Sequence, residues 1–513
     1  MKAAWQQAAW LALYDLKSLW RDRGLLVLLA VACALALYAL AQGAQFQAGV
    51  QTASNAALAQ EATARGNAVR LARDYFADPA DPRFADLKWW RSPVDIRGYA
   101  FREHLGFAVK PALPGAALAV GQADVLPAYV RVRADSMEAA ASAYEIEHPA
   151  RLAVGRFDLM FFIVYLWPLV LLALGTSVLT SEREARRLSS LHLQGVANWR
   201  LLLAQVLTRC LLATAVLVIV VAGAALAFGA VAATADGLKA LAQWAAVVGL
   251  YALFWAGVVA LVCASCSQRV TAAFAGFGAW VLLVVLAPAL LMAAAQALVS
   301  VPSRELYVDA LRDAGDRVSA DRVQLLQRFY DEHPQWRPAK TGLDKLPSAV
   351  TRIARTQAQE RLLADVIGRF ESARAQRDAI VSRGAWLSPV TQASEALSRL
   401  SGNDTLRHRT FMTETQGHHA RLRAFFQNEI QQAALRDEQA PCPTTCRAGY
   451  GFDSFEAVPT FRATPSLLQP TPSAATGLAI WALALLAVAA WVAGGVGVVR
   501  SRQPRSAKIS ASH

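Results

Sequence analysis

Cysteine and histidine are the residue types in this chain that could bind a metal or take part in redox chemistry, but their spacings do not favour either role. Six cysteines and eight histidines are present. Cys263 and Cys266 form a CxxC at the end of an apolar run, where we interpret them as small packing residues rather than a redox or metal pair. His418 and His419 are adjacent, so on a helix they point about 100° apart and would not share a metal. We expect both on a solvated helix surface.

Nucleotide-binding and hydrolase motifs are missing from the sequence. A phosphate-binding P-loop needs a lysine after its last glycine, and none of the 30 glycines is followed by lysine. There is no HExxH metalloprotease motif and no GxSxG nucleophile turn. We therefore expect no catalytic residue, no bound metal and no cofactor, and no ATP hydrolysis by this chain itself.

One charged stretch, TSEREARRLSSLHLQGVANWR (Thr180–Arg200), lies between two apolar runs and is the best candidate for a binding surface. Acids and bases come first, leucines gather on one side of a short helix, and a glycine can end it. Mixed charges suit a protein partner better than lipid, because anionic headgroups would repel the glutamates. The alternative is a solvated connector between two helices. The candidate contact residues are Glu182, Arg183, Glu184, Arg187, Leu188, Leu191, Gly195 and Trp199.

The charged stretch lies between apolar runs of the chain, and these runs are long enough to be transmembrane helices. Hydrophobic residues make up 55% of the chain, yet mean hydropathy is only +0.30, which fits apolar spans alternating with large polar regions. About 20 helical residues cross a hydrocarbon core of roughly 30 Å. Pro288 predicts a kink or a break in the run at residues 270–300. The run at residues 24–43 is either a retained anchor, which its length favours, or a cleaved signal. We predict six transmembrane helices, at residues 24–43, 157–180, 210–235, 240–266, 270–300 and 473–499.

Lysine and arginine near the span ends give the orientation. They concentrate in an amphipathic stretch at residues 1–23, in the charged segment (residues 181–209) and in the tail, residues 500–513. The positive-inside rule therefore places both termini and the charged segment in the cytoplasm. The net charge of +13 is partly this bias, and no basic stripe with interleaved aromatics predicts nucleic-acid binding.

Residues 44–156 and 301–472 then lie outside the cytoplasm. The first region begins with a helical pattern at Asn55–Phe76 and contains YVRVRAD, whose alternation is typical of a short strand, so we predict a small α+β domain. The second region predicts a larger, mainly helical domain, with helices near 304–332, 347–383 and 404–438. The predicted fold class is an all-α polytopic membrane protein with two such extracytoplasmic domains.

Two further residue-level predictions concern the second region. Ser303 is placed to cap the first of its helices. Cys442 and Cys446, in CPTTC, lie in a loop on the oxidising side of the membrane, where a small-loop disulfide is favoured over two free thiols.

The predicted spans contain almost no ionisable groups. Asp158 and Arg209 lie at span edges. Ion-coupled carriers usually keep an ionisable side chain in the middle of the membrane, because that group carries the coupling ion. The sequence therefore favours a membrane subunit that receives its energy from another protein.

Several stretches, in order along the chain, carry a resemblance to a known family. The charged segment has Glu182-Arg183-Glu184, then leucines, then Gly195-Val196 and Trp199, although Arg186-Arg187 replaces the usual Gly-Thr. This pattern resembles ABC-2-type ABC transporter permeases, as do LYDLKSLWRDRGLL (Leu13–Leu26) and SQRVTAAFAGFGAW (Ser267–Trp280). A subclass with a large inserted periplasmic domain of unknown function is similar in GQADVLPAYVRV (Gly121–Val132), LSPVTQASEALSRLSGNDTLRHRTF (Leu387–Phe411) and GYGFDSFEAVPTF (Gly449–Phe461).

The resemblance implies the permease subunit of an ATP-driven transporter, generally an exporter, in the bacterial plasma (inner) membrane. It also implies a separate cytoplasmic ATP-binding subunit that binds the ATP and contacts Glu182–Val196, a homodimer or paired permease, and a periplasmic partner for the outer domains. Two other functions stay open: a membrane-anchored scaffold or sensor whose outer domains bind a partner, and an ion-coupled secondary transporter.

Overall fold

The computed structural model describes residues 15, 17, 21–84, 88–135, 157–176, 178, 197–346, 348–439, 450–471 and 476–501. The main helices are α1 (Arg23–Ala77), α2 (Leu159–Gly175), α3 (Asn198–Ala227), α4 (Ala235–Ser265), α5 (Arg269–Leu298), α6 (Arg304–Ser319), α7 (Arg322–Glu332), α8 (Ser348–Gly384), α9 (Pro389–Ser401), α10 (Thr405–Gln439) and α11 (Thr476–Ser501). Two strands, β1 (Gly106–Val109) and β2 (Tyr129–Val132), pair antiparallel. Short helical turns occur at Pro82–Phe84, Trp89–Arg91, Ile96–Gly98, Tyr99–Glu103, Ala116–Leu118, Pro334–Trp336, Leu343–Lys345, Ala385–Leu387, Phe455–Ala457 and Pro465–Leu467.

Five of the described helices, α1, α3, α4, α5 and α11, are long and apolar enough to cross a membrane. The remaining predicted span, residues 157–180, corresponds to α2, which is apolar but shorter, about 25 Å at 1.5 Å per residue. The chain is therefore a helical membrane protein with several apolar helices.

Helix α1 is longer than the apolar run that starts it. Asp22 caps it by accepting hydrogen bonds from the amides of Gly24 and Leu25, and the helix then continues for 55 residues. The helical pattern predicted at Asn55–Phe76 is confirmed as part of α1, since nothing between it and the apolar run breaks the helix. At about 80 Å, α1 reaches from the membrane helices into the polar part of the molecule, where Ala68, Ala72 and Tyr75 are buried.

Helix α5 shows whether Pro288 kinks or breaks the apolar run at residues 270–300. The helix is continuous, but residues Val281–Leu286 adopt a π-helical turn just before the proline. A proline lacks the amide hydrogen and clashes with the preceding turn, and the wider π turn accommodates both effects. The outcome is a locally rewound helix and not a break.

The membrane helices pack around α4. Trp244, Tyr251 and Trp255 of α4 are buried among α2, α3 and α11. Gly257 lets α11 approach closely, because a Cβ there would lie 2.8 Å from the Cβ of Leu485. Helix α9 packs against this same apolar core through Val390, Ala393, Ala396 and Leu397.

The two polar regions share one hydrophobic core, except that α9 and the turn at Ala116–Leu118 face the membrane helices. We call their described residues, 44–135 and 301–471, the polar domain. Its core combines Tyr75, Ile96 and Val132 from the first region with Phe426 and Phe455 from the second. The predicted strand in YVRVRAD is β2, which pairs with β1 with Phe107 opposite Arg131. The expectation of two separate domains is therefore replaced by a single core built from both.

The placement of His418 and His419 corrects a prediction. Both were expected on a solvated helix surface, yet their exposed fractions are 2% and 6%. The His419 ring contacts the carbonyl oxygen of Asp135, and the His418 ring packs edge-on against Phe461. Burial is the main cause that lowers the pKa of His418 to about 4. The aromatic residues after position 449 cover this face of α10, which its own sequence could not show.

Candidate functional site: polar contacts at the two ends of α2

Helix α2 is fixed at each end by one ionisable side chain, the buried Asp158 before its first turn and the partly buried Arg209 beside its last. Between these ends the helix contains a π turn, Phe162–Leu166, whose Val164 carbonyl accepts a hydrogen bond from the Tyr251 hydroxyl at 2.9 Å. The helix thus has polar anchors at its ends and neutral contacts between them.

At the first end, the Asp158 carboxylate joins α2 to a loop of the polar domain. One oxygen caps α2 by accepting from the amide of Phe161 at 2.8 Å. The other accepts from the amides of Val120 at 2.7 Å and Gly121 at 3.1 Å. Gly121 has a φ of +55°, a left-handed conformation that favours glycine. Three amide donors converge on one carboxylate that is 4% exposed.

The same loop is held from its other side by the connection between α9 and α10. The side-chain amide of Asn403 donates to the carbonyls of Ala119 at 2.7 Å and Ala116 at 3.3 Å. Asn403 is brought there by Gly402, which ends α9 with a φ of +71°. The loop 116–121 therefore lies between α2 and the α9–α10 connection.

Arg407, near the start of α10, completes this junction. Its guanidinium donates to the carbonyl oxygens of Gly402, Pro111 and Leu467, which belong to three separate segments. Burial lowers the pKa of Arg407, while the charge of Asp404 opposes that effect. A single buried side chain thus ties the α9–α10 connection to two other loops of the polar domain.

Arg209, in α3, is the anchor at the second end of α2. Its Nε and Nη2 atoms donate to the two carboxylate oxygens of Asp15 at 2.8 and 2.6 Å, and its Nη1 atom donates to the Leu174 carbonyl at 3.3 Å. Asp15 is 2% exposed and Arg209 is 13% exposed, so the pair is largely but not fully buried. Arg209 therefore joins the N-terminal stretch, the end of α2 and α3.

The predicted contact residues lie next to this anchor along the chain. Trp199 is described: it is the second residue of α3, is 39% exposed, and its ring centroid lies 5.3 Å from the Arg200 guanidinium. The following predicted residues lie outside the described ranges, and their roles stay predictions: Glu182, Arg183, Glu184, Arg187, Leu188, Leu191, Gly195, Cys442 and Cys446.

The Asp15–Arg209 pair was not foreseen, although the sequence carried a signal for it. Asp15 is the single acid among residues 1–21, and Arg209 stands within a long apolar helix. A charge placed inside an apolar helix needs a partner of opposite sign. That rule could have suggested the pair, but not which acid would supply it.

The interior of the membrane helices holds neutral contacts. Trp167 donates to the Thr214 hydroxyl at 3.3 Å, and the Cys263 sulfur lies 3.4 Å from the Gly175 carbonyl oxygen. Within the described ranges, no group of three or more His, Cys, Asp and Glu residues is arranged to hold a metal. These neutral contacts hold α2, α3 and α4 against one another.

Comparison with known proteins gives one match. Residues 304–439 match the model of a family described as a domain of unknown function, DUF3526. The matched range runs from α6 to α10 and includes Asn403 and Arg407, so part of the junction lies within the family's domain. No curated protein matches the sequence.

Proposed function

We propose that the chain is the permease subunit of an ABC-2-type ATP-driven exporter in the bacterial inner membrane, energised by a separate ATP-binding subunit that docks on the charged segment. The observation that carries the proposal is the position of Arg209. The helices before and after residues 179–196 are α2 and α3, and Arg209, which belongs to α3, donates hydrogen bonds to the Leu174 carbonyl at the end of α2 and to Asp15.

A force applied to the charged segment would therefore act on two membrane helices and the N-terminal stretch together. Interdigitated helices joined by a buried ion pair shift as units, because packed cores do not deform continuously. The first turn of α2, at the opposite end of the helix, is joined to the loop 116–121 through Asp158. Movement of α2 would in this way reach the polar domain.

The neutral interior supports an external energy source. An ion-coupled carrier usually keeps an acidic or basic side chain in the membrane interior, and the interior contacts described above involve tryptophan, threonine, tyrosine and cysteine, which are uncharged at neutral pH.

The test is co-purification with the ATP-binding subunit encoded beside this chain. Glu182→Lys with Glu184→Lys should reduce recovery of that subunit while membrane insertion is retained. The matched control is Asp365→Lys with Glu371→Lys, which makes the same charge change at exposed positions of α8 and should leave recovery unchanged. Equal recovery with both variants, or a genome position with no ATP-binding subunit nearby, would contradict the proposal.

A second candidate function is favoured by the size of the polar domain. Its core draws on both polar regions and is distinct from the membrane core. Such a body suits a membrane-anchored scaffold or sensor that binds a partner without transport. Cargo that moves across vesicle membranes only when ATP and the ATP-binding subunit are supplied would decide for the transporter.

A further inference from the structure

An open cleft of about 790 Å³ lies in the polar domain, between the turns at residues 89–102 and the first half of α8. Five arginines line it, against one carboxylate, that of Asp135. We call it the arginine cleft. Its charged lining residues are Arg97, Arg102, Arg322, Arg352, Arg355 and Asp135.

Three of these arginines are held in fixed positions. Arg97 donates its Nε and Nη2 hydrogens to the Asp95 carboxylate at 3.0 and 2.7 Å. Arg352 donates the same two groups to Asp135 at 2.7 and 2.5 Å. Arg322 donates to the Thr351 hydroxyl and the Leu346 carbonyl. Fixed guanidinium groups lose little entropy when they bind a ligand, which favours recognition of planar or tetrahedral anions.

Arg102 and Arg355 differ, because in the described part of the chain neither forms a hydrogen bond or a close ion pair, although Arg102 interacts electrostatically with the neighbouring Glu103. Both are exposed at the cleft. Like charges gathered in one concavity repel each other, and a cleft of one sign concentrates ions of the opposite sign. An anion with more than one negative charge would relieve this repulsion.

The wall of the cleft is aromatic. Trp89 and Trp90 both line it, with their ring planes at 87°. The Arg97 guanidinium lies between the rings of Trp89 and Tyr450, at 4.7 and 3.6 Å from their centroids. Arg352 lies 4.8 Å from the Phe101 ring centroid. Lys88 lies 5.4 Å from the Trp90 ring centroid, and Trp90, which is 37% exposed, is the aromatic side chain most open to a ligand in this wall.

We propose that the arginine cleft binds an organic phosphate, with the phosphate on Arg102, Arg352 and Arg355 and the apolar body of the ligand against Trp89 and Trp90. Arg97 and Arg352 are paired with the carboxylates of Asp95 and Asp135, and the positive charge that remains on Arg102, Arg322 and Arg355 fits a doubly charged phosphate better than a single carboxylate. The tryptophans fit a ring or acyl-glycerol body. The inference is independent of the proposed transport function, since it rests on the polar domain alone.

The test uses the full chain in phosphatidylcholine nanodiscs and phenyl phosphate as the probe, followed by calorimetric titration. Arg102→Ala with Arg355→Ala removes two guanidinium donors and should weaken binding about a hundredfold, because each charge-assisted hydrogen bond contributes roughly a factor of ten. The control variant, Arg73→Ala with Arg462→Ala, removes the same charge at exposed positions outside the cleft and should bind as the wild type does. Phenyl glucoside, the neutral probe, should bind far more weakly.

Two further arms identify the source of the phosphate. If the natural ligand is a lipid headgroup, nanodiscs that contain phosphatidylglycerol should raise the apparent Kd of the probe for the wild type. If it is a soluble phosphate ester, that Kd should be the same in both nanodiscs. Either result supports the site, provided that the cleft variant loses binding. Absence of saturable binding, or equal weakening by the cleft and control variants, overturns the proposal.

Discussion

Asp15 and Arg209 are 194 positions apart in the chain and form a two-point ion pair, with N–O distances of 2.8 and 2.6 Å. Arg209 also reaches the Leu174 carbonyl, so one guanidinium holds three segments. Breaking a buried pair by removing one partner leaves the other charge unpaired, which costs about 3–5 kcal/mol. Loss of either partner is therefore expected to destabilise this end of the membrane helices.

A double-mutant cycle tests that statement. Asp15→Ala and Arg209→Ala should each lower the free energy of unfolding by about 3–5 kcal/mol, and the double variant should lose much less than the sum of the two. Thermal unfolding in detergent measures all three. Arg200→Ala, which removes a stacked cation in the same helix, should cost under about 1 kcal/mol. Additive losses would show that the two residues are not coupled.

Asp158→Ala should separate α2 from the loop 116–121. The change leaves the amides of Phe161, Val120 and Gly121 without their acceptor, at about 1–3 kcal/mol for each buried donor that stays unpaired. Hydrogen exchange should then speed up at Val120 and Gly121. Asp22→Ala removes the exposed cap of α1 and should cost about 1 kcal/mol, with no effect on that loop. Unchanged exchange at Val120 would contradict the assignment.

The sequence predicted the elements better than the contacts between them. Apolar runs became helices, the cap at Ser303 is confirmed by its hydrogen bond from the Leu306 amide, and YVRVRAD contains a strand. These features depend on local periodicity and capping chemistry, which the sequence states directly.

Long-range placement could not be predicted in this way. The burial of His418 depends on Phe461, and the anchor at Arg209 depends on Asp15. A histidine on a polar helix looks the same in the sequence whether or not a distant segment covers it. The shared core of the two polar regions could not be predicted for the same reason, because the hydrophobic effect is non-directional and the sequence does not show which distant segment buries a given residue.

Gly402→Ala should destabilise the junction by more than backbone strain alone. The residue has a φ of +71°, and a Cβ there would lie 2.6 Å from Leu113 and 2.8 Å from the Arg407 guanidinium. Gly229 provides a matched control, since its φ is +67° with open space around it. Gly229→Ala should cost about 1–2 kcal/mol from strain, and Gly402→Ala should lower Tm clearly further. Equal shifts in Tm for the two variants would show that the side chains around Gly402 make room for the added methyl group without loss of stability.

Lys110 gives the junction a pH dependence that Lys110→Met should remove. Burial, aided by the charge of Arg407, lowers the pKa of Lys110 to about 8 from 10.5. Between these values the unfolded chain binds a proton that the folded chain does not, so the free energy of unfolding rises with pH, by up to about 3 kcal/mol. Tm measured from pH 7 to pH 10.5 should rise in the wild type relative to Lys110→Met. The exposed-site control Lys345→Met should follow the wild type, and parallel profiles for Lys110→Met and the wild type would refute the effect.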